Sequence, residues 1–168
     1  MRGGALEPLE HGPHVLAGNP VLHPEGSALR RQDEGDPAVL GFLVAGDRGY
    51  IGAVLVPWLR AGGHLVDGLD VGLYEGCDFE PSPEDVSERL PLDIRDVQVR
   101  DLAGYDAVIC LAALSNDPLG ALNRAATYSI NHEGTVHLAR TAKQAAVERF
   151  VFASSCSLYG ATGAAASD

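Results

Sequence analysis

A short apolar run followed by three evenly spaced glycines limits what this chain can fold into. Residues 40–45 (L-G-F-L-V-A) have the length and apolar content of a buried strand. Gly46, Gly49 and Gly52 follow, and from Ala53 to Leu59 the apolar pattern fits a helix. A strand, a glycine turn and a helix in that order present free backbone N–H groups to a phosphate. Each glycine has a physical role in such a turn. Gly46 permits the tight exit from the strand, Gly49 lets a pyrophosphate approach the backbone, and Gly52 lets the helix pack closely on the strand. The helix N-terminus adds about half a positive charge, which favours the anion.

Glycine is common here, at 20 residues, so the turn needs a second element to support it. Residues 64–69 (H-L-V-D-G-L) read as a second strand with Asp70 at its end. A dinucleotide fold places an acidic residue about 20 positions past the glycines, where it accepts hydrogen bonds from the adenosine ribose. The ordinary alternative is a plain glycine turn and a solvated aspartate. Agreement of strand, turn, helix and acid in order and spacing favours the nucleotide.

Composition excludes several other classes. The net charge of −11 argues against a nucleic-acid surface, which needs clustered Lys and Arg. Cys77, Cys110 and Cys156 lack metal-ligand spacing and predict free thiols in a reducing cytoplasm. No apolar run is long enough to span a membrane, and no h-region of a signal peptide is visible at the start. Residues 1–38 are rich in Gly, Pro, His and Glu and read as a disordered N-terminal extension. His11, His14 and His23 lie there without supporting Cys or carboxylate spacing, so no metal site is expected.

Residues 39–168 then read as one incomplete dinucleotide-binding domain. A helix is expected over 50–61, stopped by Gly62 and Gly63, and a long loop over 71–91. A short third strand is expected over 92–94, a weak helix over 96–102 and a fourth strand over 106–113. Residues 115–120 read as a loop, 125–146 as a long helix and 149–153 as a fifth strand. Alternating strands and helices predict an α/β, doubly wound parallel sheet of the Rossmann type, in order 3-2-1-4-5. The ligand crevice should open at the carboxyl ends of strands one and four, where that order reverses.

Five motifs in sequence carry a family resemblance: D-R-G-Y-I-G at 47–52, D-I-R at 93–95, L-A-A at 111–113, Asn131 with Gly134 and Thr135, and S-S-C-S-L-Y-G at 154–160. Together they resemble the extended short-chain dehydrogenases/reductases, in particular the NAD-dependent epimerase/dehydratase group that acts on nucleotide sugars. The resemblance runs from about Leu40 to Gly160. It implies that Gly46, Gly49 and Gly52 hold the pyrophosphate, with Tyr50 and Ile51 offering N–H groups, and that Asp70 holds the ribose. It further implies Asp93 and Ile94 beside adenine, Leu111, Ala112 and Ala113 beside the nicotinamide ribose, Asn131 steadying the site, and Ser155 as the catalytic hydroxyl. Each has a plainer reading: Asp93 as a strand end, the alanines as packing, Asn131 bonded within its own helix, Ser155 satisfying a strand end.

Departures from the pattern matter too. Ala45 stands where the family usually has Thr, and Asp47 and Arg48 fill a loop usually made of Gly, Ala or Ser. Arg48 is compatible with the 2′-phosphate of NADP, whereas Asp70 repels it; NAD is the favoured cofactor and NADP the alternative. The family's chemistry also needs a Tyr-x-x-x-Lys pair, whose lysine and cofactor lower the phenol pKa for proton transfer. The residues at that offset from Tyr50, Tyr74, Tyr105, Tyr128 and Tyr159 are Val54, Asp78, Ile109, His132 and Gly163. Lys143 reads as an exposed helix residue, and the catalytic tyrosine is expected beyond Asp168. The chain thus reads as the cofactor-binding portion of such an enzyme, inactive alone, with dinucleotide and nucleotide sugar as partners. The family's dimer helices would include residues 125–146. A non-catalytic NAD-binding module is the alternative, and the glycine spacing and Ser155 region count against a methyltransferase.

Overall fold

The computed structural model describes residues 38–73, 89–115 and 117–155. Five strands, β1 (Gly41–Ala45), β2 (Leu65–Leu69), β3 (Arg89–Leu90), β4 (Ala107–Cys110) and β5 (Arg149–Phe152), form one parallel sheet in the order β3-β2-β1-β4-β5. The expected sheet and order are therefore present. Alternation along β1 sends its side chains to two faces. Leu43 and Ala45 join a core with Leu69, Val108, Leu102 and Leu138. Val44 joins a second core with Val56, Leu59, Val66 and Ile109. The second core lies under α1 (Gly52–Ala61), and the first under α4 (Thr135–Gln144) and a 3-10 turn over Val99–Leu102. α1 stops where expected, with Gly63 at φ +85° in the left-handed region that suits glycine.

Three expectations are corrected. The third strand is Arg89–Leu90, inside the stretch expected as loop, rather than 92–94. Pro91 explains the shift: it cannot donate to a ladder, and beyond it the Leu92 N–H turns back onto the Leu90 carbonyl at 2.9 Å. Residues 117–120, expected as part of a loop over 115–120, belong to the short helix α2 (Asp117–Leu122). Pro118 lies in its first turn, where a missing N–H leaves no bond unmade. The long helix expected over 125–146 is interrupted. It consists of α3 (Arg124–Tyr128), a π-helical segment over Ser129–Gly134, and α4.

β5 is one edge strand of the sheet, and its Val151 and Phe152 are half exposed. No helix among the described residues is long and apolar enough to cross a membrane. The Cys110 thiol is free and buried. Residues 1–37, Tyr74, Cys77, Cys156 and Tyr159 lie outside the described residues.

Candidate functional site

The strand order reverses between β1 and β4, and the turns that leave these two strands touch there. Gly46 has φ +88°, and a Cβ on it would stand 2.8 Å from the Ala112 backbone nitrogen. Its N–H donates to the Leu69 carbonyl at 2.8 Å, and the Leu111 N–H donates to the Ala45 carbonyl at 2.8 Å. The exit from β1 is thereby held from both neighbouring strands. A Cβ on Gly52 would collide with the carbonyl oxygens of Gly46 and Asp47, so this glycine brings α1 against the turn itself rather than against the body of the strand.

A Cβ on Gly49 would meet only the Gly46 carbonyl oxygen, at 3.3 Å, and otherwise open space. Among the described residues, the N–H groups of Tyr50, Ile51 and Gly52 have no acceptor. They lie at the start of a helix of 10 residues, beside exposed Tyr50 and Ile51 side chains. Free amides, a helix N-terminus and an outer side without Cβ fit a pyrophosphate. Asp70 is not a freely solvated aspartate. Its Oδ2 accepts from the Arg48 N–H at 3.3 Å and its Oδ1 from the Gly72 N–H at 2.7 Å. The carboxylate at the end of β2 is thus tied to the glycine turn.

Past β3, Asp93 is gripped by Arg95: Nε donates to Oδ1 at 2.9 Å and Nη2 to Oδ2 at 2.6 Å. The Arg95 bonds outweigh partial burial and hold the Asp93 carboxyl below its ordinary pKa. The Ile94 side chain is buried against Gly134, where a Cβ would come within 2.9 Å of it. A ligand at this position therefore meets Asp93 or the Ile94 backbone. Ala112 and Leu111 are half-buried and Ala113 is exposed, along the loop that leaves β4.

Asn131 sits in the π-helical segment and bonds across to that loop rather than within its helix. Its Oδ1 accepts from the Leu114 N–H at 2.8 Å, and its Nδ2 donates to the Leu114 carbonyl at 3.0 Å. The same helical stretch also holds the loop after β3, through His137 Nε2 against the Val97 carbonyl at 2.8 Å. Asn131→Leu should leave both Leu114 groups unpaired and cost about 1–3 kcal/mol. Denaturant unfolding reads the loss, and hydrogen exchange should show the Leu114 N–H losing protection; unchanged protection would count against this clamp. Ser155 is exposed just past β5, at the carboxyl end of the sheet from which the loops after β1 and β4 also leave.

Sequence reasoning passed over one pair. Asp47 is 4% exposed; its Oδ2 accepts from Arg89 Nε at 2.8 Å and lies 2.8 Å from Arg89 Nη2 in an ion pair. Its Oδ1 is buried without a partner. Burial pushes the Asp47 carboxyl above its ordinary pKa, Arg89 pulls it back, and the charge of Asp70 adds to the rise. The carboxylate lies over Gly68, where a Cβ would overlap it. A glycine inside a strand signals such a close approach, and Gly68 was the available clue.

Comparison with known proteins places these features. The model described as the NAD dependent epimerase/dehydratase family matches residues 42–168. A 3-beta-hydroxysteroid dehydrogenase from Mycolicibacterium neoaurum is 33% identical over 137 residues, covering 74% of this chain and 35% of that enzyme. Among solved structures, MoeE5 in complex with UDP-glucuronic acid and NAD has a TM-score of 0.61 at 31% identity, over 73% of this chain and 39% of that one. A UDP-N-acetylglucosamine 4-epimerase from Methanobrevibacter ruminantium M1 shares the fold, with a TM-score of 0.65 at 23% identity over 77% of this chain and 42% of that one. The chain thus spans between about a third and two fifths of the length of these relatives.

Proposed function

The chain belongs to the NAD-dependent epimerase/dehydratase family, and from that premise we propose that it is the NAD-binding portion of an oxidoreductase acting on nucleotide sugars. The observation that carries the proposal is the glycine turn at the switch point, with unaccepted amides at Tyr50, Ile51 and Gly52 and Asp70 bonded to the same turn. Gly46 shapes the turn, Gly49 leaves room for the pyrophosphate, and the Tyr50 and Ile51 amides bind it. Asp70, already oriented by two backbone N–H groups, accepts from the adenosine ribose. Its charge, set against a 2′-phosphate, favours NAD over NADP. Asp93 accepts from the adenine amino group beside the Ile94 backbone. Leu111, Ala112 and Ala113 flank the nicotinamide ribose on a loop that Asn131 keeps in place. Ser155 hydrogen-bonds the reacting sugar hydroxyl.

The bound cofactor would supply a hydride acceptor for a sugar carbon. Its partner in that chemistry, a Tyr-x-x-x-Lys pair, is not found among the 168 residues, so the purified chain binds without turnover. The same reading includes a cytoplasmic protein, no nucleic-acid partner at a net charge of −11, and a homodimer through the helical stretch that exposes Leu122 and Tyr128. Calorimetric titration with NAD tests the reading. Asp70→Ala should weaken binding by about tenfold, the loss of roughly 1.4 kcal/mol of hydrogen bonding. An unchanged affinity would remove Asp70 from the site, and nucleotide-sugar turnover by the purified chain would contradict the missing-pair argument.

A further inference from the structure

We propose that Asp47 is a specificity-determining residue: by neutralising Arg89 at the adenosine end of the site, it excludes the 2′-phosphorylated dinucleotide. The inference rests on the proposed cofactor role and adds a second determinant to Asp70. Arg89 pairs with Gly68 in the ladder between β2 and β3, two positions before Asp70. The next β3 residue, Leu90, accepts the Asp70 N–H at 3.2 Å. Arg89 therefore stands at the strand end where the ribose acid sits, and its side chain keeps 32% of its surface in water.

The Arg89 guanidinium meets one oxygen, Asp47 Oδ2, through the Nε hydrogen bond and the Nη2 ion pair. Its Nη1 donors have no acceptor among the described residues. A guanidinium with spare donors, partly in water and next to a ribose site, is the group that binds a phosphate monoester. What withholds it is the Asp47 carboxylate, buried under the turn and packed over Gly68. The carboxylate cancels the positive charge and fixes the guanidinium toward the turn. Together Asp47 and Asp70 leave no net positive charge against Arg48 and Arg89. Removing the Asp47 charge leaves Arg89 cationic and held at the turn only by a neutral, weaker acceptor.

The test compares NAD and NADP affinities of the full chain by calorimetry for wild type, Asp47→Asn, Arg89→Met and the double variant. Asparagine keeps the shape of the buried side chain and still accepts from Arg89. Wild type should prefer NAD. Asp47→Asn should shift the affinity ratio toward NADP by about tenfold, as a new charged hydrogen bond would. The double variant should return to the ratio of Arg89→Met, because the gain acts through Arg89. If Asp47→Asn does not fold, Asp47→Gly, which adds no atoms to the turn, takes its place. An unchanged ratio, or a gain that survives in the double variant, overturns the role of the pair while leaving NAD binding intact. Absence of binding of either dinucleotide to every variant overturns the cofactor reading and this inference with it.

Discussion

Gly52→Ala should lower stability by about 3 kcal/mol and weaken NAD binding by about 100-fold. The new methyl group would meet backbone on every near side: the carbonyl oxygen of Gly46 and the carbonyl carbon and oxygen of Asp47. None of these atoms belongs to a side chain that can rotate away. The turn has little slack on its far side either, since Gly46 leaves no room for even a Cβ beside the Ala112 backbone and is bonded to Leu69. Either α1 moves off the turn or the turn opens. Overpacking of this kind costs about 1–3 kcal/mol, and a contact with backbone on both sides belongs at the upper end. Either movement displaces the amides of Tyr50 and Ile51, each worth about 1.5 kcal/mol or more to a charged ligand, which together make the hundredfold.

Gly49→Ala is the contrasting variant. Its methyl group would meet only the Gly46 carbonyl at 3.3 Å, so the fold should hold while a ligand is kept off the turn. Denaturant unfolding and calorimetry on both variants separate the two glycines. Wild-type stability in Gly52→Ala would contradict the packing of helix against turn.

The parts of the fold that were legible in the sequence are those whose signal is local. β1, β2, β4 and β5 are apolar runs bounded by glycine or charge, and their alternation with helices dictates a parallel sheet of one hand. β3 is different. Its two residues, Arg89 and Leu90, carry no periodicity and are strand only because β2 offers them a ladder. The π-helical segment is likewise invisible to a helical period, and it is the Asn131 bond to Leu114, 17 positions away, that gives it a purpose. In the site, the glycines and Asp70 follow from spacing, and their geometry suits the roles inferred for them. The Ile94 side chain goes to the core because Gly134 leaves a space for it. The Asp47–Arg89 pair joins residues 42 positions apart, and no local pattern encodes that distance.

That pair yields the other large effect. Arg89→Met should destabilise the chain by about 3 kcal/mol at pH 8, and by less at pH 5. Methionine retains the apolar stem, so the loss is of charge and hydrogen bonds rather than packing. Removing one partner of a buried pair costs about 3–5 kcal/mol because the other charge is left uncompensated. The lower figure applies, since Arg89 keeps 32% of its side chain in water. The pH dependence follows from the direction of the Asp47 shift. Burial already raises its native pKa above the unfolded value, so the native state holds the proton more tightly, and the contribution to stability is lost as pH rises through that native pKa. Arg89 supplies the largest opposing pull. Without it the native pKa climbs further, so the loss, which begins at the unfolded-state pKa in both proteins, continues to a higher pH in the variant. The stability gap between wild type and Arg89→Met should therefore widen from pH 5 to pH 8 in denaturant titrations. Asp47→Asn combined with Arg89→Met should recover most of the loss and flatten its pH dependence, because no buried carboxylate remains. A gap that stays constant with pH, or a double variant no more stable than the single one, would mean that the Asp47 carboxylate is not the group Arg89 compensates.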